Sequence, residues 1–237
     1  MNAKELAEKI TSYCIANANE ENARRYDRFF KEGYDGYGIT TENVTKLLSE
    51  LLSDKSLKPE TVIEALEKHL ITGKYEEISI PLGLLLKMGK QFNALHFETL
   101  SGIFAKGINN WAHADTMAMN MLPEFILRKI VNAEDFIPWK TSPYKFQRRC
   151  VPVTYIKAMK KDKNVPFYLS LVESLMTDKE REVHQGVGWF LREAWKIQPE
   201  PVEVILHTYK NSAARLIYQY ATEKMTKEYR LQFRAEK

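Results

Sequence analysis

The chain has 237 residues, of which 44% are hydrophobic and 28% charged, with 35 Lys and Arg against 31 Asp and Glu. This is enough apolar material for one large core or one continuous array. The start, MNAKELAEKI, is charged from residue 4 and lacks the apolar segment of a secretory signal, and the longest apolar run, Ile80 to Leu86, is short and contains Pro81. Secretion and membrane spanning are therefore not expected. Cys14 and Cys150 stand far apart without metal-ligand spacing, as reduced thiols of a soluble cytoplasmic protein do.

Helical periodicity runs through nearly the whole chain, and no segment keeps a strand-like alternation. Residues 3–17 place Leu6, Ala7, Ile10 and Cys14 at spacings of three or four. Thr41 with Glu42 opens a helix through Leu51 and Leu52, and Pro59 opens another that Gly73 closes, both ordinary start and stop signals. Further helices are predicted over 75–88, 94–106, 112–121 and 123–131. The remainder are expected over 143–160, 166–176, 179–197, 201–209, 213–223 and 226–234. Short Gly-, Pro-, Asn- or Asp-bearing links make antiparallel pairs of neighbours. No crisp repeat stands out at a fixed period, so the pattern permits either a bundle or a stack of diverged helix pairs. Over more than two hundred residues we favour the curved stack.

The charge is unevenly distributed. Residues 1–122 carry 14 Lys and Arg against 17 Asp and Glu, residues 123–163 carry 10 against 4, and residues 164–237 carry 11 against 10. The excess falls in a stretch holding Lys140, Lys145, Arg148, Arg149, Lys157, Lys160, Lys161 and Lys163. A surface that neutralises phosphates needs such clustering, because each contact releases a condensed counterion; a solvated lysine-rich face gives the same count. On either side of it lie two segments that pair a tryptophan with a charge. Trp111 precedes Asp115 by four residues, and Trp189 precedes Arg192 by three, so each pair shares a helix face. As ordinary structure, both tryptophans are core residues, Asp115 caps a helix or pairs with a base, and Arg192 pairs with a carboxylate. His113 and Asp115 stand roughly 200° apart on a helix, and no second His or Cys cluster exists, so no metal site is expected.

Taken together, four segments resemble the AlkD-type DNA alkylation-repair glycosylase family, a group of HEAT-like repeat proteins. They are Ala23-Arg24-Arg25-Tyr26 with Gly38-Ile39, Asn110-Trp111-Ala112-His113-Ala114-Asp115, Phe146-Gln147-Arg148-Arg149, and Gly188-Trp189-Phe190-Leu191-Arg192-Glu193. The resemblance covers nearly the full length. It implies a single all-α domain over 1–237, a curved solenoid of antiparallel HEAT-like helix pairs with a concave basic face for DNA. It implies a monomer acting on alkylated duplex DNA beside the chromosome, with no cofactor and no metal. Asp115 matches the family's catalytic carboxylate, Trp111 the aromatic one turn before it, and Trp189 the second active-site tryptophan. Arg148 and Arg192 match residues that hold the backbone, and Tyr26 an N-terminal residue facing DNA. Lys145 and Arg149 are further candidates for the backbone, although only one of Arg148 and Arg149 can face a given surface, and we take it to be Arg148. The sequence departs from some relatives in a longer loop over Lys31–Gly38, in Thr40, and in Asn110 where another aromatic stands.

The implied reaction suits these residues. Purines alkylated at N3 or N7 are cationic and leave readily, so what needs help is the sugar, which gains oxocarbenium character as the N-glycosidic bond breaks. A carboxylate stabilises that charge and orients water, and tryptophans add cation–π stabilisation of about 0.5–2 kcal/mol each. The alternative expectation is a non-catalytic helical-repeat protein that binds damaged or branched DNA.

Overall fold

Every regular element among the described residues is helical. The structure is a computed structural model and describes residues 1–31 and 33–235. Glu32, in the Lys31–Gly38 loop singled out above, lies outside the described residues. The chain divides into two compact units, Met1–His113 and Ala114–Lys237.

The first unit holds α1 (Ala3–Ala16), α2 (Glu20–Asp27), α3 (Thr41–Ser53), α4 (Pro59–Thr72), α5 (Tyr75–Lys87) and α6 (Ala94–Gly102). Asn2 and Glu5 form a reciprocal capping box at the start of α1, each side chain accepting from the other's backbone N–H at 3.0 and 2.9 Å, which satisfies two otherwise orphaned donors. Ala3, Leu6, Ala7, Ile10 and Cys14 are buried, an apolar stripe packed on α4 and α5. Burial pushes the Cys14 thiol up to about 12, so it stays protonated and unreactive. Helix α2 was not predicted, because none of its eight residues is buried and it therefore carries no apolar period. Its place is set by a close approach: Gly38 has a φ of +71°, and a methyl group there would lie 2.2 Å from the Asn19 carbonyl oxygen and 2.5 Å from the Ala23 nitrogen.

Two adjacent buried glutamates of α5 hold the segment before α3. Glu76 accepts from the Tyr34 hydroxyl, from Tyr37 N–H at 2.8 Å and from Ile39 N–H at 3.0 Å. Glu77 accepts from the Thr11 hydroxyl at 2.8 Å, the Tyr37 hydroxyl at 3.0 Å and Lys74 N–H at 3.0 Å. Hydrogen bonds to a charged acceptor are worth about 1.5–3 kcal/mol each, and buried donors left unpaired cost a comparable amount. Glu76→Ala is therefore expected to lower stability by about 3 kcal/mol or more, seen as a fall in the urea midpoint at an unchanged slope.

Helix α7 (Trp111–Thr116) is followed directly by a π-helical turn, Met117–Met121, and by α8 (Leu122–Leu127). The break expected between 121 and 123 is absent. Pro123 cannot donate and crowds the preceding turn; the wider turn, in which Leu122 N–H reaches the Met117 carbonyl, accommodates it. Lys129, with φ +58°, then terminates the run. A 3₁₀ segment, Ala133–Thr141, leads to α9 (Lys145–Asp162), α10 (Val165–Val172), α11 (Arg181–Trp195), α12 (Pro199–Tyr209), α13 (Arg215–Ala221) and a 3₁₀ turn, Tyr229–Phe233.

Helix α9 is the centre of the second unit. Twelve of its 18 residues are buried, from Phe146 to Met159, and α8, α10, α11, the π turn and the 3₁₀ segment all pack on it. Two glycines of α11 permit close packing on both sides. A methyl at Gly186 would sit 3.2 Å from the Arg149 carbonyl oxygen of α9, and one at Gly188 would sit 2.6 Å from Tyr220 Cβ of α13. Cys150 is fully buried, with its thiol 3.4 Å from the Ala114 carbonyl, and burial pushes its pKa well above the ordinary value.

Candidate active site

In the first unit, Trp111 opens α7 and is 41% exposed. Its position is set from below: its ring stacks on Phe30 at 5.8 Å with 24° between planes, and its indole N–H donates to the Phe29 carbonyl at 3.4 Å. Tyr26 is half-buried and meets Tyr34 edge-on at 5.7 Å. Tyr34 in turn lies 5.5 Å from Phe30, so a file of rings joins Tyr26 to Trp111.

Asn110 and His113 fix the start of the same helix. Asn110 Oδ1 accepts from His113 N–H at 2.9 Å, and Asn110 Nδ2 donates to His113 Nδ1 at 2.7 Å. His113 Nε2 then donates to the Tyr75 carbonyl at 3.1 Å, with the Ser79 hydroxyl at 3.0 Å, and the imidazole stacks on Tyr75 at 4.7 Å. The ring is neutral and fully committed: burial pushes its pKa down to about 4, against a partly opposing bond to Tyr75. A folded-state value below the unfolded value of about 6.5 means that the unfolded chain binds the proton first as pH falls. The stabilisation is thus complete above about pH 6.5 and is lost between there and about pH 4, to the extent of about 3 kcal/mol. The gap in urea stability between wild type and His113→Gln is expected to shrink over that window. His69, whose pKa burial also lowers, keeps the variant's own profile from becoming flat. Asn110 and His113 were not singled out as a lock, although Asn-x-x-His has the spacing of a capping box.

In the second unit, Asp115 meets Arg149 in a two-pronged ion pair. Arg149 Nε and Nη2 donate to the two carboxylate oxygens at 2.8 Å each, and Nη1 donates to the Glu182 carbonyl at 2.7 Å. The side chains are 13% and 7% exposed. Burial works to lower the Arg149 pKa, but the hydrogen bond and charge of Asp115 outweigh it and the net shift is upward. Of the two adjacent arginines, Arg149 is thus the inward one, its guanidinium bonded on every side to protein. Arg148 is also engaged, donating to Asp178 at 2.7 and 3.2 Å and to the Ser142 carbonyl at 2.7 Å, and Lys145 pairs with Glu182 at 3.1 Å.

Trp189 and Arg192, one turn apart on α11, line a cavity of about 410 Å³ with Met119, Val153, Lys157 and Lys160; Asp115 is not among the residues that line it. Arg192 bonds to Glu193 at 3.2 Å and to Glu223. Glu193 also takes Lys160 at 2.7 Å and Lys196 at 2.8 Å, and these cations outweigh its burial and hold its pKa down to about 2. The structure therefore joins Asp115 to Arg149, and Trp189 to Arg192, as two separate groups. No described helix is long and apolar enough to cross a membrane.

The family profile described as DNA alkylation repair enzyme matches residues 12–225. The chain belongs to the DNA alkylation repair enzyme family. Its fold is similar to that of a solved structure described as a predicted DNA alkylation repair enzyme from Enterococcus faecalis, with a TM-score of 0.75, 16% identity, and coverage of 89% of this chain and 98% of that one. It is also similar to the crystal structure of smu.31 from Streptococcus mutans UA159, with a TM-score of 0.57, 19% identity, and coverage of 78% and 98%. No curated protein matches the chain significantly in sequence.

Proposed function

We propose that the protein is a DNA glycosylase that hydrolyses the N-glycosidic bond of cationic N3- and N7-alkylated purines, 3-methyladenine and 7-methylguanine among them, in duplex DNA. The observation that carries this reading is the Asp115 carboxylate, held in one orientation by the fork of Arg149. A fixed negative charge needs no reorganisation when the sugar becomes cationic, and that is where electrostatic catalysis gains most. As the bond breaks, its electron pair leaves with the base and neutralises the ring charge. Asp115 stabilises the oxocarbenium ion, and a water that it orients adds to the anomeric carbon and gives its proton to the Asp115 carboxylate, which returns it to solvent. Trp111 and Trp189 supply aromatic faces to the cationic species, and Tyr26, Arg148, Arg192 and Lys145 contribute to backbone contacts. Arg149 acts as a positioning residue. No metal or cofactor enters the reaction.

A second reading is a member of the family that binds damaged or branched DNA without excision. One observation favours it: both Asp115 oxygens are already engaged by Arg149, as in a purely structural pair. A duplex carrying one N7-methylguanine separates the two readings. The glycosylase converts that position to an alkali-labile abasic site, whereas the binding protein retains the duplex and leaves it uncut.

A further inference from the structure

Five of the ten cations of the basic stretch 123–163 are paired within the fold: Lys145 with Glu182, Arg148 with Asp178, Arg149 with Asp115, Lys157 with Glu124 and Lys160 with Glu193. Arginines without an ion pair among the described residues gather elsewhere. A cavity of about 390 Å³ between α13 and the Tyr229–Phe233 turn is lined by Arg215, Arg230, Arg234 and Lys210, together with Tyr218 and Phe233, and by no carboxylate among the described residues. Among those residues Arg215, Arg230 and Arg234 form no ion pair.

The walls of this cleft are fixed by packing. Phe233 is buried, with its ring 4.8 Å from His207 of α12, and the Tyr229 hydroxyl donates to Glu203 at 2.9 Å. The short turn is thereby held against α12 and presents Arg230 and Arg234. On the opposite wall Arg215, Tyr218, Gln219 and Thr222 line the cavity, at the spacing of a single helix face. The Tyr218 hydroxyl already donates to the Leu206 carbonyl at 2.8 Å, so its ring borders the space. Ile217 and Tyr220 lie on the other face of α13, where they meet Gly188 of α11. The cleft thus faces away from the helix that carries Trp189 and Arg192.

We propose that this cleft is a phosphate-binding site separate from Asp115, which takes the phosphodiester or oligophosphate groups of a nucleic acid or a nucleotide. Three arginines bordering one space can provide forked, charge-assisted donors matched to phosphate oxygens. None of the described lining residues carries a carboxylate. The site stands whether or not the protein excises bases, because none of its residues belongs to the proposed reaction.

The test uses the full chain and the triple variant R215Q/R230Q/R234Q. All three side chains are exposed, so an unchanged thermal melt is expected; should the melt shift, the single variants R215Q and R230Q are read instead. Binding of a short unmodified duplex is followed at increasing salt, and binding of inorganic tripolyphosphate by calorimetry. Each phosphate contact contributes about 0.9 to the slope of log affinity against log salt. A duplex slope shallower by about 2–3 in the variant, with tripolyphosphate binding unaffected, assigns the cleft to the nucleic-acid backbone. Loss of tripolyphosphate binding by about tenfold or more, with the duplex slope unchanged, assigns it to free oligophosphates, and loss of both shows that it takes either. Equal behaviour of variant and wild type towards both probes overturns the proposal. Failure of the wild type to excise 7-methylguanine overturns the glycosylase reading and leaves this one standing.

Discussion

Asp115→Asn is expected to slow the release of 7-methylguanine by about 10²–10³-fold, the usual consequence of removing one preorganised electrostatic group from a transition state. The substitution keeps the shape of the side chain and one acceptor oxygen for Arg149, and removes the charge. It also leaves Arg149, whose side chain is 7% exposed, without a counter-ion, so some stability is lost as well. The two effects are separable. Excision is scored per folded molecule, with folding checked by circular dichroism and duplex affinity measured in parallel. A variant that is folded, binds the duplex and does not excise places the carboxylate in the chemistry. One that excises at the wild-type rate shows that the Asp115–Arg149 pair is structural only.

The second large effect is on stability. Arg149→Ala leaves the Asp115 carboxylate partly buried without its partner and removes the donor to the Glu182 carbonyl. Breaking a buried pair from one side typically costs about 3–5 kcal/mol, a large share of the roughly 5–15 kcal/mol that holds a domain folded. Urea unfolding is expected to show that loss. Arg149→Lys is expected to lose less, because the charge remains while the fork is gone. A double-mutant cycle with Asp115→Asn isolates the coupling between the two side chains. Were Arg149 a surface contact to DNA, Arg149→Ala would cost under about 1 kcal/mol and the salt dependence of duplex binding would become shallower. As a buried partner of Asp115, Arg149 is instead expected to give the larger stability loss with the salt dependence of duplex binding unchanged.

The helices with a buried stripe were legible because burial imposes a period, as Leu6, Ile10 and Cys14 do in α1. Helix α2 lacked that imprint, since its place depends on Gly38 lying against Asn19 and Ala23, a contact between distant positions. In sequence the passage from α7 to α8 reads as two helices because Pro123 is a breaker in isolation; a π turn upstream of it is a response that no local propensity encodes. For the site, the family motifs singled out Asp115 and the two arginines, but nothing local distinguishes Arg148 from Arg149. The choice depends on the rotation of α9, and Gly186 lets α11 close onto the backbone at Arg149. The count of cations in the basic stretch is correct, but five of the ten are paired within the fold. The carboxylate partners Asp115, Asp178, Glu182 and Glu193 come from other segments of the chain, and a window of sequence cannot include them.

The most direct test of the central claim is the identity of the product released from methylated duplex DNA by the wild-type protein. We expect free 3-methyladenine and 7-methylguanine to appear in solution in step with abasic sites in the strand, with no release of normal bases. Duplex binding by a well-folded protein, with no free base after prolonged incubation at protein excess, would contradict the glycosylase reading and establish a DNA-binding member of the family in its place.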